Sequence, residues 1–161
     1  MKPILIAILV LFSAILQAQN TTPNAHDQSS TTEDEHALKA VVEKFLTAAG
    51  NQDVATMRTL FLPKANIGGY SFRDGKWTSY VMTVEEWFDR ISKSSSATPY
   101  TEPVSNYTID ISEGRLAFVK ADAVLHSDGQ PTSHNMDFFV LMKENDQWRF
   151  LSGSYTSMPI Y

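Results

Sequence analysis

The sequence predicts an α+β domain, with helices gathered in its first half and a long antiparallel sheet in its second. Two patterns carry this prediction. Apolar residues recur at helical spacing in segments between residues 33 and 93, and from Tyr100 onward side chains alternate with period two between tight-turn dipeptides. The chain length of 161 residues, with 43% apolar and 19% charged residues, suits one core-forming domain plus a short extra segment.

The first segment is the extra one. Met1-Lys2 gives a positive start, Ile4 to Leu16 runs apolar except for Ser13, and Gln17-Ala18-Gln19 returns to small and polar residues. The apolar run is shorter than the ~20 residues of a membrane-spanning helix. This is the layout of a secretory signal peptide over residues 1–18, cleaved after Ala18, and it predicts export to a periplasm or beyond the cell. An uncleaved anchor is the alternative on these flanks; after cleavage no membrane attachment is expected. Residues 19–32 contain no large apolar side chain, so burial cannot offset their ordering entropy and a flexible leader is expected. His26 and Asp27 lie in it as solvated linker residues, with no further ligands at metal-binding spacing.

The folded domain is expected over residues 33–161. Thr32 and Glu35 form a capping-box pattern, followed by Leu38, Val41, Val42, Phe45, Leu46 and Ala49 on one helical stripe, with Gly50 as the stop. Asp53 caps a second helix carrying Val54, Met57, Leu60 and Phe61, closed by Pro63. Residues 67–73 and 77–82 then read as a hairpin around Asp74-Gly75, and Gly68-Gly69 signals a bulge or a close backbone approach. Thr83, Glu85 and Glu86 open a third helix bearing Val84, Trp87, Phe88 and Ile91, which Ser94 to Pro99 ends. Four strands follow, 104–112, 115–126, 134–143 and 147–155, joined by Glu113-Gly114, Asp128-Gly129 and Asn145-Asp146.

Composition excludes several functions. With 13 basic against 18 acidic residues and a net charge of −5, no nucleic acid partner is expected. Zero cysteines exclude disulfides, thiolate catalysis and cysteine-ligated metals. The four histidines, at 26, 36, 126 and 134, lack metal-site spacing, so no metal and no cofactor is expected.

The amphipathic first helix, the segment Leu60-Phe61-Leu62-Pro63-Lys64-Ala65 and the final Asn145-Asp146-Gln147-Trp148-Arg149-Phe150 resemble the nuclear transport factor 2-like superfamily, which includes the SnoaL-like proteins. Within it, Gly129 to Phe150, with Ser133-His134 before an aromatic strand, is similar to the "putative lumazine-binding" branch. The resemblance covers residues 33 to about 157. It implies a cone-shaped roll, in which a curved antiparallel sheet wraps three helices and leaves a pocket, and a homodimer through the outer sheet face. This scaffold hosts isomerases, cyclases, hydrolases and plain binders, so the fold leaves function to the site.

Along strand 115–126 the face with Ala117, Val119, Ala121, Ala123 and Leu125 is wholly apolar and is expected inside, which sends His126 outward. His134 and Asp137 are the candidate catalytic residues, an imidazole whose tautomer a carboxylate could fix. Three positions apart on a strand, they face opposite sides unless a bulge intervenes, and Asp137 shares parity with Phe139 and Leu141. The expected pocket lining is Tyr70, Trp87, His134, Asp137, Phe139 and Tyr155, suited to a small apolar or aromatic ligand. Two functions follow: an exported, non-catalytic small-molecule-binding protein, or a cofactor-free isomerase, cyclase or hydrolase using the His134/Asp137 pair. No nucleophile-elbow motif supports a serine triad.

Overall fold

The structure, a computed structural model, describes residues 25–94 and 98–161, with side chains from residue 31 onward. The expected signal segment, residues 19–24 of the expected leader, and positions 95–97 of the expected break after the third helix lie outside the described residues.

Three helices come first: α1 (Ala25–Gly50), α2 (Val54–Leu60) and, after a hairpin, α3 (Val84–Lys93). The strands are β1 (Phe61–Arg73), β2 (Lys76–Thr83), β3 (Tyr100–Thr101), β4 (Val104–Ser112), β5 (Leu116–Ser127), β6 (Gln130–Glu144) and β7 (Gln147–Pro159). They form one curved, unclosed sheet in the order β2-β1-β7-β6-β5-β3, with β4 also paired to β5. The expected α+β class and cone-shaped roll are the observed ones. One pairing departs from a fully antiparallel sheet: β1 runs parallel to β7. The long connection through α3 permits this, since parallel neighbours need a crossover rather than a tight turn.

Local signals account for most boundaries. The Asp53 carboxylate accepts from the Thr56 amide at 3.0 Å, capping α2. Thr83 and Glu86 form a reciprocal capping box on α3. The turn residues Asp74, Glu113, Asp128, Asn145 and Asp146 all have positive φ, as tight hairpins require.

Several boundaries differ from expectation, two of them with a clear physical reason. Helix α1 starts at Ala25, within the expected leader, so Thr32 lies inside the helix rather than at its cap. Helix propagation costs little once a packed portion has nucleated it, and no proline follows Pro23 until Pro63. Gly50 ends α1 for a packing reason: a Cβ there would overlap the Tyr100 carbonyl oxygen. The left-handed residue after the helix is Gln52. Strand β1 also starts earlier than expected, at Phe61, and accommodates Pro63 by breaking register with β7 between Phe61 and Asn66.

The core lies between α1 and the concave sheet face. Phe45 is its centre, with ring centroids 5.3 Å from Phe61, 5.7 Å from Phe139 and 5.1 Å from Phe150. Leu38, Val42, Met57, Phe88, Val119 and Leu141 are fully buried around it. Ala117, Val119, Ala121 and Ala123 face inward as the alternation requires, and their small side chains leave room for the helix. Toward the end of the sheet where β7 begins, Trp148 is buried and donates its indole N–H to Asp34 at 3.0 Å. Lys143 Nζ donates to the same carboxylate oxygen at 2.7 Å.

Candidate functional site

The helices fill only part of the concave face. What remains is a cavity of about 820 Å³, with walls drawn from α1, α3 and every strand except β4. Phe45, Leu46 and Ala49 supply the α1 wall, Trp87, Arg90 and Ile91 the α3 wall, and Ile67, Tyr80, Met82, Phe139 and Tyr155 the sheet.

One glycine makes the tyrosine part of this wall possible. A Cβ on Gly69 would lie 2.6 Å from Tyr155 Cζ and 2.8 Å from Tyr80 Cε1. Without it both rings lie against the β1 backbone, where their hydroxyls meet at 3.4 Å. This is the close backbone approach that Gly68-Gly69 signalled. Burial and the neighbouring Tyr155 hydroxyl raise the Tyr80 phenol well above its ordinary range, and burial raises Tyr100 likewise. Both therefore act as neutral hydrogen-bonding groups.

Polar chemistry gathers on β6 and beside the short β3 segment. Ser133 donates to the Asn135 side-chain oxygen at 3.1 Å, and the Asn135 amide donates to Glu102. Asn135 and Asp137 are buried, with relative exposures of 4% and 5%. Both point inward because they pair in register with Ala123 and Ala121, whose faces are buried. Oδ2 of Asp137 has no hydrogen-bond partner among the described residues. Burial, reinforced by the Glu102 carboxyl, pushes Asp137 up to about 8. Burial also raises Glu102, opposed by the Asn135 hydrogen bond. Of the two acids, Glu102 holds a donor that favours its anion, so Asp137 is the one that keeps its proton. Near neutral pH the cavity thus carries a carboxylic acid able to donate or to lose a proton.

Of the residues nominated from sequence, Trp87, Asp137, Phe139 and Tyr155 line the cavity. Tyr70 and His134 do not. Tyr70 is on the convex side, stacked on Trp77 at 5.2 Å, because Gly69 holds the inward-facing position beside it. His134 is also on the convex side, paired with Asp122 at 2.5 Å. No bulge intervenes between 134 and 137, as β6 keeps continuous register with β5 from Ser133 to Met142, so strand parity separates His134 from Asp137. The expected catalytic pair is not formed. His126 bonds the Val124 carbonyl through Nδ1 at 3.0 Å and is no part of the lining.

The sequence-based lining did not include Glu102, Asn135, Tyr100 or Tyr80. Asn135 was within reach, since it shares parity with Asp137. Glu102 was not, because it sits in a two-residue connection between strands whose position only the folded sheet defines. Among the described residues no cluster of histidine and acidic side chains has metal-holding geometry.

The family model described as "Putative lumazine-binding" matches residues 33–156. No curated protein matches the chain. Among solved structures, a nuclear transport factor 2-like protein of unknown function from Shewanella baltica is 25% identical. That match covers 80% of this chain and 97% of the other, with a TM-score of 0.59. A "Putative Scytalone Dehydratase" from Novosphingobium aromaticivorans aligns with a TM-score of 0.64 at 11% identity, covering 81% of this chain and 87% of that one. The CaMKII hub homology domain of Chlamydomonas reinhardtii aligns with a TM-score of 0.58 at 13% identity, covering 75% and 96%. The last two likenesses are of fold alone.

Proposed function

The chain belongs to the "Putative lumazine-binding" family of the nuclear transport factor 2-like superfamily, and from that premise we propose that it is an exported small-molecule-binding protein. It holds a flat, largely apolar ligand in its cavity and does not transform it. The observation that carries this reading is the hollow itself: about 820 Å³ of space, walled mainly by aromatic and aliphatic side chains, with one convergent polar group of Asp137, Glu102 and Asn135. Its size suits a fused-ring heterocycle. Export rests on the positive, apolar and small-residue pattern of residues 1–18. A homodimer through the convex sheet face is supported by Leu116, Phe118 and Met142, all more than a third exposed there, and by the Phe118–Phe138 ring pair at 6.3 Å.

The second reading, an isomerase, cyclase or hydrolase, loses its His/Asp pair. One observation keeps a form of it alive: Asp137 retains a transferable proton near neutral pH. Native mass spectrometry of the mature protein purified from its own cells, then incubated with pterin- and flavin-like heterocycles, decides between them. A bound compound recovered unchanged is the expected result. A chemically altered compound establishes the enzyme reading, and protein that is ligand-free and takes up none of the heterocycles overturns the receptor.

A further inference from the structure

We propose that the cavity selects ligands by a positively charged, donor-rich edge, such as an amidinium, a guanidinium or a protonated amino-heterocycle, which seats on Asp137 and Glu102. This rests on the receptor reading above and specifies its ligand class.

Three independent observations converge on it. Asp137 Oδ2 is buried, lies in the cavity wall and has no hydrogen-bond partner among the described residues, and a buried acceptor left in that state is costly. A ligand N–H supplies the missing donor. Next, among the described residues the two acids have no buried cation beside them. The charged and titratable groups around Asp137 are Tyr100 on β3 with Glu102 just after it, Tyr80 on β2, Tyr155 on β7, Tyr107 on β4 with Glu43 of α1 beside it, and the arginines Arg73 of β1 and Arg90 of α3. Both arginines are exposed, so solvent screens them, whereas Asp137 is buried and Glu102 half-buried. The acids therefore set the sign of the interior. Finally, Trp87, Tyr80, Tyr100 and Tyr155 present aromatic surface to the same space, which stabilises a delocalised cation.

Binding of a cation is coupled to a proton. Asp137 is held protonated up to about 8, so below that pH the incoming cation displaces the carboxyl proton to buffer, and charge balances. Affinity then rises about tenfold per pH unit up to that value and levels off above it.

The test uses three probes of one shape and different charge: benzamidine (cationic), benzamide (neutral) and benzoate (anionic), titrated calorimetrically into the mature chain at pH 6.5 and 7.5. Benzamidine is expected to bind tightest, about tenfold better at the higher pH, with one proton released per site in buffers of different ionisation enthalpy. Asp137→Asn is expected to weaken benzamidine at least tenfold and to abolish proton release, while benzamide binding persists and reports an intact cavity. Glu102→Gln, at a half-buried position, is the second variant should the first fail to fold, and is expected to weaken benzamidine selectively. Equal or tighter binding of benzamide or benzoate overturns the charge assignment and leaves the receptor reading standing. So does benzamidine binding that neither variant alters. Failure of all three probes to bind overturns the charge assignment, and the receptor reading then stands or falls on the heterocycle test above.

Discussion

The two faces of one sheet hold two acid-containing pairs only a few residues apart on β6, and they differ in every property that matters. On the convex face His134 and Asp122 meet at 2.5 Å with side chains 49% and 34% exposed. On the concave face Asp137 and Glu102 share the cavity wall, with Asp137 buried and pushed up to about 8. Residue type alone would favour the outer pair for acid–base chemistry, because it contains the histidine. Environment reverses this: solvent screens the interaction of the outer pair, and burial gives the inner one a retained proton and an unmet acceptor.

The largest expected consequence concerns stability against pH. The folded-state pKa of Asp137 lies above its unfolded value of about 3.9, so the native state binds a proton that the unfolded chain releases. That stabilisation is fully present below about pH 4 and is lost as pH rises to about 8. Asp137→Asn removes the slope. Denaturant titrations at pH 5 and 9 are expected to show the variant gaining on the parent by a few kcal/mol at the higher pH, since each tenfold difference in proton affinity between the two states is worth about 1.4 kcal/mol. Parallel profiles would place Asp137 in water and dissolve the contrast.

Next in size is a test of the concave wall's packing. Gly69→Ala forces its Cβ against the Tyr155 and Tyr80 rings and is expected to cost about 1–3 kcal/mol. Val81→Thr, at a convex position 82% exposed, is expected to stay within about 0.5 kcal/mol. Urea midpoints measure both, and similar losses at the two sites would mean the tyrosines are not held by the glycine.

The convex face is probed by Phe118→Ser. Sedimentation equilibrium is expected to show dimer dissociation at least tenfold easier, about 1.4 kcal/mol, with the monomer's fold intact. An unchanged association constant, or a monomeric parent, removes that face as the interface. The smallest effect belongs to His134→Ala: less than about 1 kcal/mol in stability. Probe affinity is expected to stay within twofold, and a large loss of binding would return the histidine to the site.

Much of this molecule was legible along the chain. Periodicity located three helices and the sheet, capping residues fixed the starts of α2 and α3, and acidic or asparagine turn residues marked the hairpins, because each depends on neighbours within a few positions. Strand parity likewise put Ala117 to Ala123 and Asp137 inside and cautioned that His134 faces away from Asp137. Parity also held for Tyr70, but its zero point could not be set until Gly69 was seen beneath the two tyrosine rings.

The cavity's polar group escaped the linear reading for a related reason. Glu102 and Asn135 are brought together by β3 and β6 flanking β5, a pairing that spans more than thirty positions of sequence. The extension of α1 back to Ala25, the parallel seating of β1 on β7 and the protonation of Asp137 have the same origin. Local sequence determines dihedral preferences and which face of an element is apolar. Which faces meet, how much water remains between them and how strongly a carboxyl group is desolvated are properties of the assembled layers, and only the tertiary structure decides them.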